Sequence, residues 1–113
     1  MTDLESHYGP PDGTFLVLLD RERVAGTGAI RRLDAETCEL KRMWFLRDYR
    51  GKGHGFRMAG LLLDFARRAG YKCVRLDTAP ELEQANRLYR RLGFSVIERY
   101  NAGPATVFME KRL

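Results

Sequence analysis

A glycine-rich segment at residues 50–55, with the sequence Arg-Gly-Lys-Gly-His-Gly, has the composition of an anion-binding loop. Glycine has no Cβ, so three alternating glycines allow positive φ angles and a close approach of the backbone to a ligand. An amphipathic helix is predicted to begin directly after Gly55, and the free N–H groups at a helix N-terminus attract anions. The spacing therefore predicts a pyrophosphate site, and the alternative is a loop that only connects a strand to a helix.

The same segment excludes two common phosphate motifs, because it matches neither G-x-x-x-x-G-K-[ST] nor G-x-G-x-x-G. We therefore expect neither a nucleoside triphosphate nor NAD as the ligand. A metal site is not expected either, since the histidines and cysteines lack the short paired spacings of zinc ligands. These residues are His7, Cys38, His54 and Cys73. The two cysteines are predicted to be reduced and buried.

The net charge of +5 and the pI of about 9.6 fit two kinds of partner. One is a nucleic acid, and the other is a small molecule that carries several phosphates. The basic residues form no dense tail, and a nucleic-acid surface would also need exposed aromatic side chains. Three large aromatic residues are instead predicted to lie in the core: Trp44, Phe65 and Phe94. We therefore expect no nucleic-acid partner.

Length and composition predict one domain over residues 1–113. The chain is 44% hydrophobic, which suits one core, and no apolar run approaches the roughly 18 residues that a membrane span needs. The polar N-terminus contains no apolar signal-peptide segment, so we expect a cytoplasmic protein without membrane contact. Residues 1–14 include Gly-Pro-Pro-Asp-Gly and are expected to be irregular.

The elements that must position the glycine segment can be predicted from hydrophobic periodicity. Apolar runs between polar turns predict three strands, at residues 15–19, 24–30 and 38–46. The apolar residues then recur at helical spacing, as Met58, Leu61, Leu62, Phe65 and Ala69. Gly70 has the position of a helix-terminating glycine.

The second half of the chain predicts a strand at 71–77, a helix that Gly93 ends, and two closing strands at 94–100 and 106–109. Thr78 and Glu81 have the spacing of a capping box at the start of that helix. The element order is therefore β-β-β-α-β-α-β-β. The β-α-β unit at its centre predicts one parallel strand pair with a right-handed crossover. The predicted fold class is α/β (α+β), with a mixed, mostly antiparallel sheet.

In the glycine-rich segment and its flanking elements, the sequence resembles the GNAT superfamily of N-acetyltransferases. The signature of that family, Gln/Arg-x-x-Gly-x-Gly/Ala, is matched by Arg50, Gly53 and Gly55. Residues 43–49 look like the strand that leads into the signature, and residues 88–94 are similar to a later family element. The resemblance covers residues 15–113 and implies the GNAT fold, with acetyl-CoA as cosubstrate and no metal.

The resemblance also implies where acetyl-CoA binds. Main-chain groups of Met43, Trp44 and Phe45 would pair with the pantetheine arm in the manner of an added strand. Arg50 belongs to the signature. The backbone amides that would hold the pyrophosphate belong to six consecutive residues: Gly51, Lys52, Gly53, His54, Gly55 and Phe56.

For catalysis, the resemblance implies that the Tyr89 hydroxyl lies near the thioester sulfur and protonates the departing thiolate. The alternative for Tyr89 is a core aromatic residue, and both descriptions can hold together. Direct transfer to an amine also needs a group that takes a proton from the ammonium. Glu39 is the first choice for that base and Asp77 the second, and each has an ion-paired surface acid as its alternative.

Three departures from the family pattern matter. Leu82 stands where many members have an asparagine, and Asn86 lies one turn from Tyr89. Phe56 stands where a basic residue often follows the glycines. The family usually begins with a strand and two helices, which need about 40 more residues than residues 1–14 supply. We therefore expect an acceptor side that is open, completed by a partner chain or absent from this sequence, and we expect a homodimer.

Together these patterns predict transfer of an acetyl group from acetyl-CoA to a primary amine of a small molecule or peptide, by direct attack. The alternative is an acyl-CoA-binding sensor or partner module without catalysis. Tyr89 favours the first hypothesis, and the short N-terminus favours the second.

Overall fold

The computed structural model describes residues 12–113 together with the backbone of a short strand, Thr2–Asp3. Within these residues the chain forms seven strands and two α-helices. The strands are β1 (Thr2–Asp3), β2 (Thr14–Asp20), β3 (Arg23–Arg32), β4 (Thr37–Phe45), β5 (Cys73–Thr78), β6 (Ser95–Ile97) and β7 (Val107–Arg112). The helices are α1 (His54–Arg68) and α2 (Glu83–Arg91), and a 3₁₀ turn covers Arg47–Tyr49. Apart from β1, the predicted order is confirmed.

All strands belong to one sheet, in the order β1-β2-β3-β4-β5-β7-β6. Only β4 and β5 run parallel, and α1 provides the connection between them. Every other neighbouring pair is antiparallel. The predicted fold class, with its central β-α-β unit, is therefore confirmed. No helix in residues 12–113 is long and apolar enough to cross a membrane.

The parallel pair of strands separates soon after it begins. Three residues of β4, Thr37 to Glu39, pair with Cys73 to Arg75 of β5, and from there each strand pairs only with its other neighbour. A register shift in the pairing of β3 with β4 marks a bulge near Arg42, whose φ is 59°. The strands therefore leave an opening between residues 40–45 and residues 76–78, which we call the β4–β5 gap.

Both helices contribute to one hydrophobic core. Met58 and Leu62 of α1 pack with Ile30 and Leu40 of the sheet, and α2 adds Tyr89. A glycine in β3 allows α1 to approach the sheet closely, because a Cβ on Gly28 would lie 2.8 Å from Leu62 Cδ1 and 2.9 Å from Met58 Cγ. The face of α1 that contacts the sheet therefore depends on its close approach to the β3 backbone at Gly28 as well as on its apolar side chains.

The buried stripe of α1 differs from the predicted one by about one position. Leu61 is 43% exposed, although it was placed in the core. The buried side chains are Met58, Ala59, Leu62, Leu63 and Ala66. Because nearly every residue from 58 to 66 is apolar, periodicity alone does not select the face that is buried.

Three further predictions about local structure are wrong. Trp44 is 46% exposed because it lies on the sheet face opposite its partly buried neighbours Met43 and Phe45, and Phe65 is likewise only partly buried. The strand predicted at 94–100 ends at Ile97, and the loop that follows is held by hydrogen bonds from Arg99 to three of its carbonyls. The irregular segment predicted at 1–14 contains β1, which pairs with the free edge of β2, and Thr14 belongs to β2. The remainder of residues 1–11, including His7, lies outside the described residues.

The predicted capping box is also absent. Helix α2 begins at Glu83 after Leu82, which makes no side-chain cap. Thr78 instead ends β5, and its hydroxyl donates to Asn86 Oδ1 at 2.9 Å. Asn86 Nδ2 donates in turn to the Ala79 carbonyl at 2.9 Å, so this buried asparagine fixes α2 to the end of β5. Gly70 and Gly93 terminate their helices with φ values of 92° and 101°, which confirms both predictions.

Candidate active site

The glycine segment forms a sharp turn that leads directly into α1. Gly51 and Gly53 have φ values of 72° and 86°, and Gly53 is the N-cap residue of the helix. The helix begins at His54, two residues earlier than predicted, because the left-handed conformation of Gly53 completes the turn. His54 therefore belongs to the first helical turn rather than to the loop.

The amides of this turn are free to bind an anion. Within the described residues, no N–H group from Gly51 to Phe56 donates a hydrogen bond, and the first helical bond runs from Arg57 N to Gly53 O. A Cβ on Gly53 would have no atom within 4 Å, so the surface beside these amides is open. Free amides and the positive end of a 15-residue helix together suit a pyrophosphate.

Side chains around the turn hold its shape and add positive charge. Arg50 Nε donates to the Phe45 carbonyl at 2.9 Å, which anchors the start of the turn to the end of β4. Lys52 is exposed, and Arg91 of α2 lies over the exposed Phe56 ring at 4.7 Å. Phe56 replaces the basic residue of the family pattern, but its ring contacts Arg91, so a guanidinium from α2 lies beside the glycine turn.

The end of β4 presents backbone groups to the β4–β5 gap. Leu46 N donates to the Ala25 carbonyl at 2.8 Å, so backbone groups of Leu46 and Trp44 point toward β3. Because backbone groups alternate between the two edges of a strand, those of Met43 and Phe45 point toward the gap. Of the three residues predicted to pair with the pantetheine arm, Met43 and Phe45 therefore have the required orientation, whereas Trp44 does not.

Tyr89 lies on α2 beside this gap. Its side chain is buried and packs edge-to-face on Phe94, with ring centroids 6.0 Å apart. The hydroxyl has no hydrogen-bond partner within residues 12–113. Burial, with a smaller effect of the Asp77 charge, raises the pKa of Tyr89 to about 12, so the hydroxyl keeps its proton at neutral pH.

Glu39 is buried and paired on both of its oxygens. Its side chain is only 1% exposed. Oε1 lies 3.1 Å from Arg31 and 3.7 Å from Lys41 Nζ, and Oε2 accepts the Tyr100 hydroxyl at 2.6 Å. Two cations and a hydroxyl therefore satisfy this carboxylate.

Asp77 is the more accessible carboxylate. Its side chain is 23% exposed, and Oδ2 lies 3.6 Å from Lys41 Nζ and accepts a 2.9 Å hydrogen bond from Asn101 Nδ2. Lys41 thus lies between the two carboxylates that sequence reasoning named. Burial and the hydrogen bond to Glu39 raise the pKa of Tyr100, which keeps that hydroxyl a donor.

Sequence reasoning missed four residues of this charged group: Arg31, Lys41, Tyr100 and Asn101. Lys41 could have been identified from the sequence, because it is two residues from Glu39 and therefore lies on the same face of the strand. Tyr100 could not, since it is 61 residues from Glu39 and was placed in a strand. No cluster of His, Cys, Asp and Glu side chains that could hold a metal ion occurs in the part of the chain that the structure describes.

Comparisons with known proteins show which sequences and folds this chain resembles. The N-acetyltransferase YjgM of Escherichia coli is 34% identical over 101 residues, which are 87% of this chain and 60% of that protein. An acetyltransferase structure from Streptococcus agalactiae has a TM-score of 0.83 and 27% identity, covering 89% of this chain and 67% of that one. A GNAT acetyltransferase from Elizabethkingia anophelis with acetyl-CoA bound shares the fold, with a TM-score of 0.76 at 16% identity over 90% of this chain and 77% of that one.

A family relationship follows from these similarities. The chain spans about 60% of the length of the E. coli protein. The family model described as "Acetyltransferase (GNAT) family" matches residues 1–94, which is most of the sequence. Relatives from E. coli and Bacillus subtilis, 34% and 31% identical to this chain, are named N-acetyltransferases. The chain therefore belongs to the GNAT family of acetyltransferases.

Proposed function

We propose that this protein transfers an acetyl group from acetyl-CoA to a primary amine of a small molecule or peptide. The main support for the proposal is the run of backbone amides at residues 51–56 that donate no hydrogen bond. These residues follow the end of β4, and β4 borders the gap beside the Tyr89 hydroxyl. A pyrophosphate held at one end would let the thioester reach the other end. The acetyl-CoA-bound relative from E. anophelis supports the choice of ligand.

In this proposal the amides of residues 51–56 hold the pyrophosphate. The main-chain groups of Met43 and Phe45 hydrogen-bond the pantetheine arm, so that the arm takes the place of a strand beside β4. Arg50 positions the turn through its bond to the Phe45 carbonyl. Trp44 has no backbone contact with the arm, because its main-chain groups point toward β3.

The chemical step needs one acid and one base. The acceptor ammonium gives a proton to a carboxylate, and the nitrogen lone pair then forms the N–C bond to the thioester carbonyl carbon. The C–S bond breaks, and the sulfur takes a proton from the Tyr89 hydroxyl. A second nitrogen proton leaves and restores the tyrosine, so one proton is released overall. Glu39 and Asp77 are the two carboxylates proposed for the base.

The contacts that Glu39 already makes favour an alternative function without catalysis. Hydrogen bonds from Arg31 and Tyr100 and the nearby Lys41 ammonium already occupy the Glu39 oxygens, and a protein without an accessible base would bind acetyl-CoA but not transfer its acetyl group. That alternative is an acyl-CoA sensor or partner module.

A screen for acetyl transfer separates the two functions. The purified protein is incubated with acetyl-CoA and amines, polyamines, amino acids or peptides, and both CoA release and acceptor mass are followed. We expect one acceptor class to gain an acetyl group in proportion to the CoA released. Acetyl-CoA binding without transfer to any class would favour the sensor.

We also propose that the protein acts as a cytoplasmic homodimer. Exposed apolar side chains on three strands, Leu19, Val24 and Val96, support self-association. The buried, unpaired thiols of Cys38 and Cys73 support a reducing compartment. Light scattering over a wide concentration range should give twice the 13.0 kDa chain mass, and a constant monomer mass would reject the dimer.

A further inference from the structure

The segment between β6 and β7 is held in a defined shape by one side chain. Arg99 Nη1 donates to the carbonyls of Asn101 at 3.2 Å and Gly103 at 2.9 Å, and Nη2 donates to that of Ala105 at 2.8 Å. The same guanidinium lies 4.9 Å from the centre of the Phe108 ring. A planar fork with several donors suits this task, and a lysine could not reproduce it.

This Arg99-closed loop, residues 98–106, brings two side chains to the two carboxylates. Tyr100 donates to Glu39, and Asn101 donates to Asp77. Asn101 is itself fixed, because its Oδ1 accepts from Gly103 N at 2.9 Å while its Nδ2 faces Asp77. The amide group is therefore oriented by the loop rather than by Asp77 alone.

The two carboxylates differ in whether one of their oxygens is left without a hydrogen-bond partner. Glu39 is nearly fully buried, and each of its oxygens has a partner. Asp77 uses only Oδ2 for Lys41 and Asn101, and its Oδ1 has no hydrogen-bond partner among residues 12–113. A free oxygen on an accessible carboxylate at the β4–β5 gap is the better proton acceptor.

We propose that Asn101 is a positioning residue, which orients the Asp77 carboxylate so that Oδ1 takes the proton of the acceptor ammonium. In this arrangement Glu39 remains a buried counter-ion for Arg31 and Lys41. The inference rests on the proposed acetyl transfer and adds the residue that selects between its two bases. The proton moves from the ammonium nitrogen to Asp77 Oδ1, which leaves the nitrogen lone pair for attack.

The charged and titratable groups around Asp77 come from every side of the gap. Lys41 faces it from β4 and also contacts Glu39. The charge of Asp77 reaches the Tyr89 hydroxyl on α2 and the Tyr100 hydroxyl of the loop. Asn101 carries no charge, so its replacement by aspartate adds a negative charge without a change in size.

Asn101→Asp is the sharpest test, because it keeps an oxygen for Gly103 N and replaces the donor to Asp77 by a second carboxylate. Two adjacent carboxylates oppose each other's ionisation. The acid-side midpoint of kcat/KM against pH should therefore rise by about one pH unit or more. The acetyl-CoA Kd should stay close to that of the wild type, which shows that the cosubstrate site is intact, whereas repulsion between the two carboxylates should lower the thermal unfolding midpoint at neutral pH.

Two further variants keep the outcome unambiguous. Asp77→Asn should remove the acid-side limb, whereas Glu39→Gln should retain it. An active wild type whose midpoint is unchanged by Asn101→Asp, or whose limb disappears in Glu39→Gln, overturns the inference.

A readout without catalysis separates this failure from that of the proposed function. Carboxyl NMR should show the Asp77 titration midpoint moving upward in Asn101→Asp even if no amine is acetylated. An unmoved Asp77 resonance would reject the positioning role, whereas a wild type without transfer would reject the proposed function.

Discussion

Glu39 faces Arg75 in the last residue pair that joins β4 to β5. From that pair onward the strands separate, and the charged layer formed by Glu39, Lys41 and Asp77 begins at the same point. The opening in the sheet and the groups proposed for proton transfer therefore occur together. Because the strands separate at this point, the buried Glu39 carboxylate and the more accessible Asp77 carboxylate border the same gap.

Gly53→Asp should weaken acetyl-CoA binding about tenfold or more, because it adds negative charge where the phosphates are proposed to bind. The matched control is Gly70→Asp at the other end of α1. Both glycines have positive φ and no atom within 4 Å of an added Cβ, so the backbone strain is similar. Each variant should lose about 1–2 kcal/mol of stability. Calorimetry that shows equal affinity for the two folded variants would remove the site from the glycine turn.

Tyr89→Phe should lower kcat by roughly 10²–10⁴-fold while the acetyl-CoA Kd stays the same, because the ring still packs on Phe94 and only the proton is lost. Tyr71→Phe is the matched control, since Tyr71 is equally buried and its hydroxyl donates to the Asp12 carbonyl at 2.6 Å. That variant should lose about 1 kcal/mol of stability and keep its kcat. A wild-type kcat for Tyr89→Phe, measured where chemistry limits the rate, contradicts the acid role.

The rate should show no loss from Tyr89 ionisation across the neutral and mildly basic range. Its pKa is raised to about 12, so the acid stays protonated until the pH approaches that value. In the unfolded chain the hydroxyl ionises near pH 10, so the fold loses stability as the pH rises from about 10 to 12. A basic limb near pH 9 that disappears in Tyr89→Phe would contradict the buried environment of this hydroxyl.

The two cysteines should resist alkylation in the folded protein. Burial raises the pKa of Cys38 to about 12 and that of Cys73 to about 11, and a thiol reacts only as its thiolate. Iodoacetamide at pH 8 should label neither residue before unfolding and both after it, as followed by mass spectrometry. Rapid labelling of the native protein would be incompatible with their placement in β4 and β5.

Gly28→Ala should destabilise the fold by about 1–3 kcal/mol, because its Cβ would lie within 3 Å of Leu62, Met58 and Met43 side-chain atoms. Gly60→Ala provides the contrast, since Gly60 lies in α1 and an added Cβ there has no atom within 4 Å. Alanine in that helical position should stabilise the protein by about 0.5–1 kcal/mol. Denaturant unfolding of both variants checks the packing of α1 on β3, and equal midpoints would contradict it.

The order of elements after β1 could be predicted because it rests on local signals. Gly70 and Gly93 end their helices as expected, and the glycine turn precedes α1. The charged group could not be predicted in the same way, because its contacts join residues far apart in sequence. Tyr100 reaches Glu39 only because the chain leaves β6 at Ile97, and that exit depends on Arg99 and three loop carbonyls.

The environments of two individual side chains in the sheet were equally hard to predict. Trp44 reads as a core residue by type, yet strand alternation places it opposite Met43 and Phe45 on a face that the two helices do not cover. Thr78 has the spacing of a helix cap, but its hydroxyl bonds Asn86 instead. In both cases the folded structure decided between local patterns that the sequence allows.

The central claim is that acetyl-CoA binds between the glycine turn and the β4–β5 gap, and amide NMR during titration tests it most directly. We expect the largest shifts for the N–H groups of residues 51–56, with further shifts at Met43 and Phe45, whose backbone groups point toward the gap. Gly70, at the other end of α1, should not move. Saturable binding that shifts Gly70 or the β2–β3 turn but leaves residues 51–56 unchanged would contradict the account.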